Sequence, residues 1–153
     1  MSNPFERLGV VQRPGSSVTP GTGYHNLPFE DYGDAPVHRG GTANRVLQIT
    51  RHYKVEDKRG IDLGCSVGGL TFGLQMAGAS MLGVDADPEA VKVALSVEAE
   101  QGTGARFSCR RLPIFDIVEP FDFAVCYSVF MWIAKAEGME KATEWLCDLS
   151  AHI

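Results

Sequence analysis

The residues best suited to chemistry fall in one short stretch, Gly60-Ile-Asp-Leu-Gly-Cys-Ser-Val-Gly-Gly69. Ile61 and Leu63 are apolar in the manner of a buried strand, and Asp62 sits where such a strand meets a ligand. Gly64, Gly68 and Gly69 permit positive φ and a close approach of the backbone to something flat or charged. A second acid, Asp85, ends the next apolar run, 21 positions past Gly64. A third group, Cys126, Tyr127 and Ser128, follows the apolar run that begins at Phe121.

A glycine turn followed by an acid at the end of the next strand suits two nucleotide cofactors. Dinucleotide binding needs G-x-G-x-x-G, so that the backbone can approach a pyrophosphate. Read from Gly64, the chain offers Gly64, Ser66 and Gly69, and the middle glycine is missing. Asp62 would also repel a pyrophosphate, whereas it suits a cation-bearing nucleoside. S-adenosylmethionine, with its ammonium and sulfonium groups, is such a ligand. A nicotinamide-dependent oxidoreductase is therefore the weaker alternative.

Three motifs carry a family resemblance: Ile61-Asp-Leu-Gly-Cys-Ser-Val-Gly-Gly69, Gly83-Val-Asp-Ala-Asp-Pro-Glu-Ala-Val91 and Phe121-Asp-Phe-Ala-Val-Cys-Tyr-Ser-Val-Phe130. Together they resemble the successive motifs of the class I S-adenosylmethionine-dependent methyltransferases, over roughly residues 60–151. The resemblance implies that Asp62, Gly64, Cys65 and Gly68 wall the methionine moiety. Ser66 joins the cofactor-binding residues where the family often has glycine. By the same resemblance Asp85 accepts hydrogen bonds from both ribose hydroxyls, and Ala86 lies against the adenine. Cys126, Tyr127 and Ser128 would line the floor near the sulfonium and the incoming acceptor. A carboxylate is a good acceptor for a vicinal diol, and small residues let a flat ring dock. Where the family offers an acid or amide for the adenine amino group, this chain has Arg110 and Arg111, with Asp116 a weaker substitute. The family sheet usually has seven strands, and this sequence stops after the helix that follows the fourth. It is read as a fragment lacking the C-terminal strands, ahead of a natural minimal domain completed by a partner. The edge of strand four is expected to be covered by another chain, in a homo-oligomer or by a partner.

Several elements must position these residues. Residues 1–38 interleave five prolines with glycines and cannot carry a long helix. They read as an N-terminal arm, partly mobile, whose rings between Tyr24 and Tyr32 staple it onto the body or form a lid. Residues 39–153 form the S-adenosylmethionine-binding Rossmann-like domain, incomplete at its C-terminus. Val46, Ile49 and Tyr53 recur at helical spacing after Thr42, a plausible N-cap. Arg39, Arg45, Arg51, Lys54, Lys58 and Arg59 cluster around that helix, either as a solvated face or to meet an anionic substrate. A helix from Leu70 to Met76 follows the glycine turn. Ala79–Val84 reads as the second strand. Asp87, Pro88 and Glu89 signal a helix start, with Ala90, Val91, Ala94, Leu95 and Val97 as its apolar face. Ala105–Cys109 and Phe121–Cys126 read as strands three and four. A short apolar helix or turn spans Val129–Ile133, and a helix from Gly138 to about Ala151 presents Ala142, Trp145, Leu146 and Leu149 on one side. Strands alternating with helices predict an α/β fold: a doubly wound, mostly parallel sheet whose ligands sit at the carboxyl ends of the strands beside the switch point.

Length and composition set the outer limits. A chain of 153 residues suggests one domain with a real core. The formal net charge of −5 disfavours a generally basic nucleic-acid binder. No apolar run reaches the roughly 18 residues of a membrane span, and the N-terminus lacks the pattern of a secretory signal. Cys65, Cys109, Cys126 and Cys147 form no CxxC pair, so mostly buried free thiols in a cytoplasmic protein are expected, with no metal site.

Methyl transfer from a sulfonium is an in-line displacement with a good leaving group, so the protein chiefly supplies orientation. A base is needed only where the acceptor must lose a proton. Tyr24, His25 and Tyr127 are the candidates, none of them assigned as catalytic. Trp132 and Trp145 are expected in the core. No N-P-P-Y motif follows strand four, which disfavours DNA amino-methylation. The expected substrate is a small-molecule or sugar-type acceptor, ahead of RNA or protein. The competing class is a non-catalytic methyltransferase-like domain that serves assembly or binding.

Overall fold

The computed structural model describes Leu27, residues 41–113 and residues 119–153. Tyr24, His25, Asp116 and all of the arm except Leu27 lie outside the described residues. The elements run α1 (Thr42–His52), β1 (Arg59–Leu63), α2 (Gly69–Met76), β2 (Ser80–Asp85), α3 (Pro88–Gln101), β3 (Arg106–Cys109), β4 (Phe123–Val125), α4 (Phe130–Glu137) and α5 (Met139–Ala151). The four strands form one parallel sheet in the order β3-β2-β1-β4. The chain therefore winds outward from β1 to β3, then returns to the other side of β1, and the switch point lies between β1 and β4.

The alternation of side chains along the central strands distributes the core over both faces. Ile61, Leu63 and Val84 meet Ile133 of α4 and Ala142, Trp145 and Leu149 of α5 in one cluster. Met81, Phe123 and Val125 meet Val46 of α1 and Leu70 and Leu74 of α2 in a second. Phe72 joins Ala90 and Val97 of α3 in a third, which also holds Leu27 and Val67. Leu27, the one described residue of the arm, is buried there. Because both faces are covered, β1 is buried from its second residue onward, as a central parallel strand requires.

The local signals hold at α3. Asp87 caps it, its side chain accepting from the Glu89 N–H at 2.9 Å, with Pro88 opening the first turn and Gly102 ending it in the left-handed region. Elsewhere the boundaries and faces differ from expectation. Gly41, not Thr42, occupies the N-cap of α1, and Thr42 is the buried first residue of the helix. Strand four is only three residues long, because Asp122 turns back to accept from the Arg59 N–H and Cys126 already leads into the site. The apolar run after Val129 continues through Glu137 as a full helix.

Three apolar residues expected in the core are exposed: Leu95 at 49%, Leu146 at 44% and Trp132 at 64%. Leu95 follows Ala94 by a single residue, a turn of about 100° that carries it onto the flank of α3. Leu146 follows Trp145 in the same way, and α5 packs on the Trp145 side, where that ring is fully buried. The cysteines also depart from the mostly buried set expected: Cys65 is buried and Cys126 half-buried, while Cys109 and Cys147 are exposed. No helix among the described residues is long and apolar enough to cross a membrane.

Candidate functional site

The carboxyl ends of β1, β2 and β4 open into a cavity of about 390 Å³ at the switch point. It is lined by Gly64, Ser66, Asp85 and Ala86 at the ends of β1 and β2, and by Arg111, Leu112, Tyr127, Ser128, Val129, Trp132, Ile133 and Ala136. The volume is in the range of small-molecule sites.

The glycine-turn end is built from backbone geometry. The N–H groups of Gly64 and Cys65 both donate to the Val84 carbonyl, at 2.8 and 3.0 Å, so the turn leaves β1 leaning on β2. Gly64 has φ +80, and a Cβ there would collide with the Val129 side chain. Glycine at this position thus admits the α4 entry to the edge of the cavity. Ser66 adopts φ 52 and Ser128 φ 62. Two non-glycine residues in the left-handed region on one cavity mark backbone held in a costly conformation, as functional sites often hold it.

Asp85 ties this end together. Its Oδ2 accepts from the Ser66 N–H at 2.7 Å and its Oδ1 from the Asp87 N–H at 2.9 Å. One carboxylate therefore fixes both the glycine turn and the entry to α3. A carboxylate has about four acceptor sites, so each oxygen can still accept a ligand hydroxyl.

Asp62 lies beneath the turn rather than in the cavity wall. It is 3% exposed, and its Oδ2 accepts from the Thr71 hydroxyl of α2 at 2.7 Å. Burial pushes its carboxyl up to about 6, the negative charge of Asp85 adds to that rise, and the Thr71 hydrogen bond opposes it. Cys65 and Cys126 are likewise pushed up by burial, with Asp62 adding to both, so neither is a ready thiolate. Gly68 caps α2 with φ +89 and faces inward, where a Cβ would press on Phe72 and Phe107 at under 3 Å. Of the residues expected to bind the cofactor, the cavity brings together Gly64, Ser66, Asp85, Ala86 and Tyr127. Asp62, Cys65, Gly68 and Cys126 are not among its lining residues.

Further side chains at the cavity come from α4 and from the segment after β3, and Arg45 of α1 stacks on one of its rings. Trp132 stands on the exposed flank of α4 and lines the cavity, with the Lys135 ammonium 5.6 Å from its ring centre. The Arg45 guanidinium of α1 lies 4.9 Å from the centre of the Tyr127 ring. Arg111, where the resembling family offers an acid or amide to the adenine, lines the cavity and faces Glu137 at 3.6 Å. The one-residue offset between Trp132 and the buried Ile133 is the signal in the sequence that could have placed the ring outside the core.

The methyltransferase domain family matches residues 61–148. That is more than half of the chain, and the chain belongs to this family. No curated protein matches it. Among solved structures it is similar to the bifunctional kinase-methyltransferase WbdD, with a TM-score of 0.70 and 25% identity over 76% of this chain and 28% of that one. It also resembles magnesium protoporphyrin IX methyltransferase from Synechocystis PCC 6803, solved with bound S-adenosylmethionine, with a TM-score of 0.61 and 22% identity over 75% of this chain and 54% of that one. A third relative is an S-adenosylmethionine-dependent methyltransferase from Clostridium acetobutylicum ATCC 824, with a TM-score of 0.59, 21% identity, and coverage of 77% and 47%. The last two likenesses show the Rossmann-like methyltransferase fold. The chain spans less than a third of the length of WbdD and about half of the other two.

Proposed function

We propose that this member of the methyltransferase domain family is the S-adenosylmethionine-binding part of a methyltransferase acting on a small-molecule or sugar-type acceptor. The observation that carries the proposal is Asp85, poised at the end of β2 on the wall of the switch-point cavity with acceptor capacity remaining on both oxygens. Residues 39–153 are the binding unit and residues 1–38 the arm, of which Leu27 packs in the cluster with Val67 and Phe72.

The residues present fit the cofactor. Asp85 holds the ribose hydroxyls, and Ala86 leaves room for a flat adenine. Gly64 and Ser66 border the methionine moiety, while Asp62, behind the turn, supplies negative charge toward its ammonium. Cys65, Gly68 and Cys126 set the backbone course of that wall, and Tyr127 closes the acceptor side. When bound, S-adenosylmethionine supplies an electrophilic methyl group whose transfer leaves a neutral thioether. The chain contributes orientation and exclusion of water, the terms that matter most when the leaving group is already good.

Calorimetry with S-adenosylmethionine, S-adenosylhomocysteine and NAD tests this directly. The first two are expected to bind and NAD is not. Asp85→Ala is expected to weaken S-adenosylhomocysteine by about tenfold or more, the scale of losing charge-assisted hydrogen bonds. Asp85→Asn, which keeps acceptor and shape on one side, controls for loss of the turn. Unchanged affinity in a folded Asp85→Ala protein would overturn the site.

A further inference from the structure

Thr42, the first residue of α1, is 5% exposed, and its hydroxyl oxygen is buried without a hydrogen-bond partner. The other threonines among the described residues all use theirs. Thr50 and Thr143 donate to carbonyls of the preceding turn, Thr71 donates to Asp62 and Thr103 to Glu98. A hydroxyl left unpaired in a core is costly and calls for an explanation. At the first position of a helix, no carbonyl of the same helix lies one turn back to receive it. A threonine in a helix has two favoured rotamers, so this hydroxyl can turn toward a group docked at the helix start.

That start suits an anion. Gly41 is its N-cap, no side chain caps it, and its first turn carries no acid. The leading N–H groups of a helix are unpaired within it and carry partial positive charge. The fold brings this start to the glycine turn. The Tyr53 hydroxyl, just past the end of α1, donates to the Asp122 carbonyl at the amino ends of the strands. α1 therefore starts toward their carboxyl ends, as α2 does. The two helices pack together, with Val46 filling the room that Gly73 leaves. One turn back along each, Thr42 comes level with Gly69, where α2 opens from the turn. Three residues on from Thr42, Arg45 reaches the ring of Tyr127, a cavity residue.

We infer that the start of α1, with the Thr42 hydroxyl, is the subsite for the α-carboxylate at the amino-acid end of the cofactor. This rests on the cofactor reading above and deepens it. A nucleoside whose ribose sits on Asp85, and whose amino-acid part passes Gly64 and Ser66, ends on this side of the sheet. Its carboxylate accepts from the Thr42 hydroxyl and lies against the leading N–H groups of α1, while the ammonium on the same carbon is drawn to the negative charge of Asp62. Opposite charges on one carbon thus meet opposite charges of the chain, and the subsite selects the whole cofactor over a truncated thioether.

Calorimetry on the whole chain compares S-adenosylhomocysteine with S-adenosyl-3-thiopropylamine, which lacks only the carboxylate. The parent is expected to bind the first about tenfold more tightly. Thr42→Val keeps the shape and removes the hydroxyl. It is expected to weaken S-adenosylhomocysteine about three- to tenfold and to leave the decarboxylated ligand within about twofold. Thr42→Ser, which keeps the hydroxyl, is expected to bind S-adenosylhomocysteine within about twofold of the parent. In urea without ligand, the Thr42→Val midpoint is expected at or above the parent's, since a methyl replaces an unpaired hydroxyl. Equal affinity of the parent for the two ligands overturns the inference, and so does a Thr42→Val protein that binds S-adenosylhomocysteine unchanged or loses both ligands equally. A lower midpoint would mean that the hydroxyl already has a partner in the fold, and overturns it too. A parent that binds neither ligand overturns the cofactor reading, and this subsite with it.

Discussion

Asp62 shows how one residue can be foreseen and still be misplaced. Its type and spacing announce a negative charge beside the turn, yet it lies under the turn, bonded to Thr71. The location has a thermodynamic consequence. Its folded pKa is raised to about 6 from 3.8, so between those values the folded chain holds a proton that the unfolded chain has released. Stability from this group is therefore greatest below the unfolded pKa, falls as pH rises through the window, and levels off above about 6. The full difference is on the order of 3 kcal/mol. Asp62→Asn keeps an acceptor for Thr71 and removes the titration. In urea unfolding the variant is expected to be more stable than the parent near pH 7.5, by about 1–3 kcal/mol, and nearly equal near pH 4. A constant difference across that range would show that the charge is not what matters. If a cationic ligand draws the ionised form of Asp62, affinity for S-adenosylmethionine should also rise with pH through about 6 in the parent and not in the variant.

At the scale of the element, α3 is the segment whose sequence says most. Asp87, Pro88 and Gly102 each do what their chemistry dictates, because caps are local and need no tertiary partner. Asp87→Ala is expected to cost about 1 kcal/mol in urea unfolding. The Asp87 N–H that holds Asp85 belongs to the backbone and survives the change, so binding of S-adenosylhomocysteine should fall much less than stability. An equal loss of both would mean that the cap side chain, and not the backbone, sets Asp85. The helix faces were less legible. A period of 3.6 gives the direction of an apolar stripe but not its width. Leu95, Leu146 and Trp132 all lie at the flank of their stripes, where the neighbouring element decides whether they are covered.

For the whole molecule, alternation of strands and helices foretells the parallel sheet, and the order β3-β2-β1-β4 places the switch point beside the glycine turn. The same order leaves β4 at a sheet edge, paired with β1 alone among the described residues. An edge with unpaired N–H and C=O groups recruits another strand. The chain is accordingly expected to associate as its concentration rises. Sedimentation velocity over a hundredfold concentration series, roughly the span that separates weak from moderate self-association, should show the coefficient increasing. A coefficient that stays at the monomer value throughout would overturn this.

The sequence by itself determined the class of the fold, the central turn and the acid that answers it, because each depends on local chemistry: glycine's freedom, the period of a strand, the cap of a helix. It also named Tyr127 and Ala86 through a family resemblance. Which side of each backbone faces the cavity was decided only by tertiary structure. Asp62 turned inward because Thr71 offers it a hydroxyl, and Gly68 did so because Phe72 and Phe107 fill the space beside it. Arg111 and Trp132 come from separate segments to line one cavity, and Arg45 reaches the Tyr127 ring from α1, meetings that no spacing along the chain encodes.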